Sequence, residues 1–120
     1  MKSGQIPAPD DLPSISRTAF HVLVAIGPEE RHGYGIMREV ERITHGATRL
    51  GPGGVYTTIR RLLDDGLIEE SDARPDEQLD DQRRRYYRLT GLGRSVVAAE
   101  ITRLDRLVGA ARPWAHESIG

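Results

Sequence analysis

The tightest constraint on this chain lies between two sets of glycines. Gly51-Pro52-Gly53-Gly54 on one side and Gly66 on the other frame a run in which Val55, Ile59, Leu62 and Leu63 recur at helical spacing. Glycine permits backbone turns that a Cβ resists, and proline suits a first helical turn, where its missing N–H leaves nothing unbonded. Gly66 reads as the C-terminal stop. The run is a short helix with one apolar stripe. At about 100° per residue, Thr57, Arg60, Arg61 and Asp64 fall opposite that stripe, with Tyr56 and Thr58 on the flanks. No acidic residue lies between Arg49 and Arg61, so the front is cationic. Such a front suits a DNA major groove: phosphates accept from Arg, Tyr and Thr, and Arg or Thr can read base edges. A surface helix whose arginines are merely solvated has the same pattern, so the rest of the chain has to decide.

Bulk charge does not. The chain has 17 Lys and Arg against 18 Asp and Glu, a formal charge of −1, so nucleic-acid binding would have to come from local clustering. Its 120 residues suit one domain with a single modest core. With only 5% aromatics that core must be mainly Leu, Val, Ile and Ala. The absence of cysteine excludes disulfides, Cys-ligated zinc and thiol chemistry. No apolar run reaches membrane-span length, and the N-terminus has neither a charged n-region nor an h-region, so no membrane role is expected and the expected location is the cytoplasm.

Residues 1–13 hold Pro7, Pro9, Pro13, Gly4, Asp10 and Asp11 and read as an extended arm, either disordered or draped over a neighbouring subunit. Ser14 is a good N-cap for a buried first helix carrying Ile15, Ala19, Phe20, Val22, Leu23 and Ile26, which Gly27-Pro28 ends; Phe20 is expected in the core. Glu29 to His32 form a polar turn. Gly33-Tyr34-Gly35 then opens a second helix with Ile36, Met37, Val40 and Ile43 inward and Arg38, Glu39, Glu41 and Arg42 outward as a solvated, ion-paired face. After Gly66 the period changes. Leu67 to Ser71 and Arg84 to Leu89 read as antiparallel strands, with Tyr86 and Tyr87 on opposite faces. The polar loop between them is acidic at its tip (Asp72, Asp76, Glu77, Asp80, Asp81) and basic at its root, where Arg83, Arg84, Arg85 and Arg88 follow; the root suits DNA backbone and the tip does not.

Thr90 is an N-cap candidate for a last helix from Gly91 to about Arg112, ended by Pro113. Val97, Ile101, Leu104, Val108 and Ala111 repeat at spacings of four and three, a seam that Leu92, Val96 and Leu107 widen. So long an apolar face exceeds what a small core needs, and the same helix of a second copy is its expected partner, the alternative being a helix folded back on its own domain. Trp114 either packs on that dimer or lies in a loose tail.

Enzymatic chemistry finds no foothold. His21, His32, His45 and His116 lack metal-ligand spacing, the glycine-rich turn lacks the Lys-Ser/Thr of a phosphate-binding loop, and no Ser or Thr sits in a nucleophile elbow. Neither a metal nor a cofactor is expected.

Helix, helix, short cationic helix, hairpin, long helix is a winged helix-turn-helix order: mainly α with a small β-hairpin, plus a long C-terminal helix. In that order the chain resembles the PadR-type transcriptional regulators. The likeness rests on His32-Gly33-Tyr34-Gly35-Ile36, Gly54-Val55-Tyr56-Thr57-Thr58-Ile59-Arg60-Arg61-Leu62, Asp65-Gly66-Leu67-Ile68, and Arg85-Tyr86-Tyr87-Arg88-Leu89-Thr90 with Gly93. It spans roughly residues 14–112 and is closest to the compact subgroup with one C-terminal dimerisation helix. It implies an arm at 1–13, a DNA-binding domain at 14–89, a dimerisation helix at 90–112 and a tail at 113–120. It further implies a homodimeric repressor of a pseudo-palindromic operator on double-stranded DNA, one that a small apolar effector could release, with Trp114 near the effector. By position, Tyr56 would contact a phosphate, Thr57, Arg60 and Arg61 would lie in or beside the major groove, Arg49 would join them in binding DNA, and Arg83, Arg84 and Arg85 would belong to the wing. The rival reading is a winged helix used as a protein-interaction module, its arginine face meeting an acidic partner.

Overall fold

The structure, a computed structural model, describes Leu12, residues 14–71 and residues 85–119, the last four by their backbone alone. The arm before Leu12, the wing tip and Arg83 and Arg84 lie outside the described residues.

Among the described residues, four helices and a small sheet follow one another as α1 (Arg17–Ile26), β1 (Arg31–His32), α2 (Gly33–Ile43), α3 (Pro52–Asp64), β2 (Ile68–Glu70), β3 (Tyr86–Leu89) and α4 (Gly91–Ile119). That is the expected winged helix-turn-helix. α1 begins two residues later than expected, because the hydroxyl of Ser16 rather than Ser14 accepts from the third N–H of the helix, that of Ala19, at 3.0 Å. Its inward positions are Ala19, Val22, Leu23, Ala25 and Ile26. Phe20 is turned aside from these and is only half-buried, outside the core.

The polar turn at Glu29 to His32 supplies a strand that periodicity could not reveal. Arg31 and His32 pair with Tyr87 and Tyr86, giving a three-stranded antiparallel sheet in the order β1-β3-β2. On the other edge Ile68, Glu69 and Glu70 face Leu89, Arg88 and Tyr87. Tyr87 points into the core and Tyr86 lies across His32, ring edge to ring face at 5.3 Å between centroids.

The core is aliphatic, as composition required: Val22, Leu23, Ile26, Ile36, Val40, Val55, Ile59, Leu62 and Val96 are its fully buried side chains. Val96 therefore belongs to the domain itself and not to the seam of α4. Leu12 is also buried, and its carbonyl accepts from Arg103 Nη2 at 2.8 Å, so the start of the described chain is fastened to α4.

One joint fixes α4. Thr90 donates its hydroxyl to the Gly66 carbonyl at 2.6 Å and accepts from the Gly93 N–H at 3.0 Å, while its own N–H reaches the Leu67 carbonyl at 3.0 Å. Gly93 lies so close to that carbonyl that a Cβ would overlap it. Gly66 adopts φ +75°, which only glycine takes without strain, and lets the chain reverse out of α3 into β2. α4 also runs on past its expected end. Pro113 lacks the N–H that would reach the carbonyl of Gly109, but both residues are exposed, so water can take the orphaned oxygen and the helix continues to Ile119.

Gly93→Ala should lower stability by about 2–3 kcal/mol, because the added methyl must displace backbone and not a flexible side chain. Gly91→Ala, where a Cβ meets nothing within 4 Å, should leave the urea midpoint unchanged or higher. Equal midpoints for the two variants would contradict the joint.

Candidate nucleic-acid interface

α3 is held by its back. Val55, Ile59 and Leu62 are 1–2% exposed, and Leu63 and Tyr56 pack beside them. Thr57, Arg60, Arg61 and Asp64 face solvent. The capping residue Gly51 has no side chain to bond, Pro52 opens the first turn, and the Asp65 and Gly66 N–H groups close the last. Thr58 spends its hydroxyl on the Gly54 carbonyl at 3.0 Å within the helix, which leaves Thr57 as the outward-facing hydroxyl.

The glycines ahead of α3 carry a correction. Gly51 has φ −75°, neither Gly53 nor Gly54 has a positive φ, and a Cβ on Gly51 or Gly53 would meet nothing within 4 Å. Neither a turn nor an internal contact calls for glycine there. The N-terminal end of α3 is instead a bare backbone surface.

Tyr56 differs from its expected role. Its ring tip lies against Gly33, where a Cβ would come within 2.6 Å of the hydroxyl oxygen, and that oxygen has no exposure to solvent. Helical geometry turns this flank residue toward α2, so it braces α3 against the start of α2 and does not present its hydroxyl outward. The same corner is capped by His32, whose Nδ1 accepts from the Gly35 N–H at 2.9 Å. Burial, the nearby Glu70 carboxylate and Tyr56 together push the Tyr87 phenol above its ordinary range.

Charge separates two kinds of arginine. Arg88 Nε is 2.8 Å from Glu69 Oε2 and Arg85 Nη1 is 3.3 Å from Glu70 Oε2, so the described root of the wing is compensated by β2, contrary to its expected free basic character. Cross-strand register does this: Glu69 sits opposite Arg88. These pairs are exposed and each contributes less than about 1 kcal/mol to stability, but they neutralise charge. On α2, Arg42 grips Glu39 through two bonds at 2.7 and 2.9 Å, and that guanidinium holds the Glu39 carboxyl below the usual range. Arg49, Arg60 and Arg61, by contrast, have no carboxylate partner among the described residues.

Two open hollows flank this front. One, of about 400 Å³, runs between Ser16 and Ala19 at the start of α1 and Thr57, Arg60 and Arg61 of α3. The other, of about 420 Å³, lies at the α2–α3 turn and is lined by Arg38, Glu41, Arg42, His45, Gly46 and Arg49. Sequence patterning puts Arg38 and Arg42 on a solvated face and His45 in the stop after the second helix; the spacing of Arg38, Arg42, His45 and Arg49 at three to four residues is the signal that joins them.

Beyond Arg103, α4 leaves the domain. Ile101, Leu104, Leu107 and Val108 are 39–65% exposed and share a side with Val24 of α1, itself 41% exposed; Val97 and Ala111 are half-buried. An apolar groove of about 380 Å³, bounded by Leu23, Val24, Leu89, Val97 and Ile101, opens at the near end of that face. Trp114 stands on α4, 65% exposed, rather than in a separate tail. Among the described residues no group of His, Asp or Glu could hold a metal ion.

The model of the transcriptional regulator PadR-like family matches residues 22–99. Transcriptional regulator Rv3488 of Mycobacterium tuberculosis (strain ATCC 25618 / H37Rv) is 33% identical over 88 residues, which cover 73% of this chain and 76% of that one. A PadR family transcription regulator from Clostridium difficile R20291 superposes with a TM-score of 0.65 at 18% identity, covering 83% of this chain and 99% of that one. RosR of H. salinarum gives 0.59 at 24% identity, covering 88% and 89%. At such identities the two structures speak to the fold alone.

The Tyr87 phenol yields a pH prediction. Its folded pKa lies above the ordinary 10.0, so the unfolded chain loses the proton first. Its contribution to stability is whole below that value and is lost as the pH rises through the folded one. Tyr87→Phe should therefore flatten the fall of the urea midpoint between about pH 9 and about pH 12; an unchanged slope would contradict the assignment.

Proposed function

We propose a DNA-binding arrangement for this chain, which belongs to the transcriptional regulator PadR-like family: two copies join through α4 and set one α3 each into successive major grooves of a pseudo-palindromic operator. The chain is a transcriptional regulator and not an enzyme. The observation that carries the reading is the pair of guanidinium groups, Arg60 and Arg61, that have no carboxylate partner among the described residues, on a helix whose opposite side is locked into the core.

In this arrangement Arg60, Arg61 and Thr57 face the groove, with Arg able to fork onto guanine or phosphate and the threonine hydroxyl onto either. Tyr56 acts from behind, holding α3 at its angle to α2. The bare end formed by Gly51, Gly53 and Gly54 allows the sugar-phosphate backbone to approach the first turn without meeting a side chain. Arg85 and Arg88, paired with Glu70 and Glu69, contribute shape more than charge.

The uncovered apolar face of α4 supports a homodimer. A second copy of the same face is the simplest cover, and Ile101, Leu104 and Val108 are its centre. A bound dimer occludes the operator, which makes the regulator a repressor acting in the cytoplasm; no helix among the described residues is long and apolar enough to cross a membrane. The apolar groove beside Val97 and Ile101 adjoins that face, and an apolar effector seated there, with Trp114 near the dimer surface, would act by changing the angle between the two copies.

A gel shift on the duplex upstream of the chain's own coding region tests the whole. Arg60→Ala or Arg61→Ala should weaken binding by about 1–3 kcal/mol for a base contact, or lower the salt slope by about one for a phosphate contact. Leu104→Glu with Val108→Glu should give a monomer in sedimentation equilibrium and abolish the discrete band. A band that no sequence competes away, or arginine variants that bind like the parent, would favour the protein-interaction module instead. Gly53→Ala sharpens the test: its thermal midpoint should equal or exceed the parent's while its DNA affinity falls, and unchanged affinity would remove the first turn from the interface.

A further inference from the structure

We propose that the hollow at the α2–α3 turn is a seat for one backbone phosphate of the DNA strand that borders the groove entered by α3. The inference rests on the reading above and adds a contact outside the recognition helix.

Three guanidinium groups, those of Arg38, Arg42 and Arg49, line the hollow against the single carboxylate of Glu41. Each is posed. Arg42 is held through Nε and Nη2 by Glu39, at 2.9 and 2.7 Å, which fixes the plane of its fork and leaves Nη1 out of that grip. Arg38 is stacked over the Tyr34 ring, its Cζ 5.7 Å from the centroid. Arg49 lies along Gly46, close enough that a Cβ there would stand 3.7 Å from Nη2.

The floor is rigid. The Thr44 hydroxyl donates to the Val40 carbonyl at 2.8 Å and accepts from the Thr48 N–H at 3.1 Å. The Gly46 N–H reaches the Glu41 carbonyl at 2.8 Å, and the Ala47 N–H reaches Thr44 at 3.0 Å. The side chains that converge here therefore need little further ordering to meet an anion.

Position selects the anion. Arg49 precedes Pro52, the first residue of α3, by three residues, so it lies within about 10 Å of the helix end. A major groove is about 12 Å wide, and its bordering phosphates fall within that reach when α3 occupies it. Guanidinium forks match phosphate oxygens. The hollow is open on its outer side, as a passing strand requires and as an enclosed small-molecule site would not be.

The test is the salt dependence of binding by the full chain to the same upstream duplex and to a scrambled duplex. Arg49→Ala and Arg38→Ala should each lower the slope of log affinity against log salt by about one and weaken both duplexes by the same factor, leaving discrimination intact. Arg49→Lys should restore the slope, and Glu41→Gln should tighten binding to both. Unchanged slopes for Arg49→Ala and Arg38→Ala, alongside a weakened Arg60→Ala, would overturn the seat and leave the reading of α3 standing. No effect in any of the three would overturn both. Replacing chloride by inorganic phosphate at equal ionic strength separates the sources. Competition in the parent that vanishes in Arg49→Ala supports the seat. Competition in the parent with no slope change in Arg49→Ala would mark a free-phosphate site and overturn the DNA assignment.

Discussion

The contact of Gly93 with the Leu67 carbonyl decides where everything else points. It seats the first turn of α4 on the residue that follows the Gly66 reversal, and the Thr90 hydroxyl bridges to the Gly66 carbonyl beside it. The end of α3 and the start of α4 thus share a handful of backbone atoms. In the proposed dimer, whatever sets the angle between the two α4 helices would also set the angle between the two α3 helices through this joint.

The second requirement is that the exposed side of α3 keep its charge. Several other arginines on this nearly neutral chain are paired with carboxylates: Arg42 with Glu39, Arg85 with Glu70, Arg88 with Glu69, Arg103 with Glu100. Acids placed one helical turn or one strand away do this. None does it for Arg49, Arg60 or Arg61 among the described residues. A net charge near zero is therefore compatible with a cationic surface, because the cancellation is spatially uneven.

Much of this was legible in the residue order. The stripe of Val55, Ile59 and Leu62, the start at Pro52 and the stop at Gly66, and the opposite faces of Tyr86 and Tyr87 are local patterns, and local patterns survive folding. The misses have physical causes of their own. β1 is two residues long and has no period to read; only its pairing with β3 makes it a strand. Pro113 does not end α4, since an exposed helix can lose one hydrogen bond to water. Phe20 left the core because small Ala19 and Ala25 bring α1 in close on another side. The phosphate contact expected of Tyr56 rests on the resemblance, since a flank position fixes no direction, and only the missing Cβ of Gly33 reveals where its ring goes. The pairing of the wing root and the hollow at the α2–α3 turn depend on tertiary distances that no spacing encodes.

α4 spans 29 residues, about 43 Å of helix, and leaves the domain beyond Arg103, a little under halfway along, with its apolar side uncovered. In the proposed dimer, twofold pairing along that side would convert one displayed helix into two at a fixed separation. Hydroxyl-radical footprinting of the bound operator measures this most directly. The account predicts two protected patches related by a twofold axis, with centres about 10–10.5 base pairs apart or a whole multiple of that on one face of the duplex. A single patch the width of one major groove, or protection with no twofold relation, would contradict it.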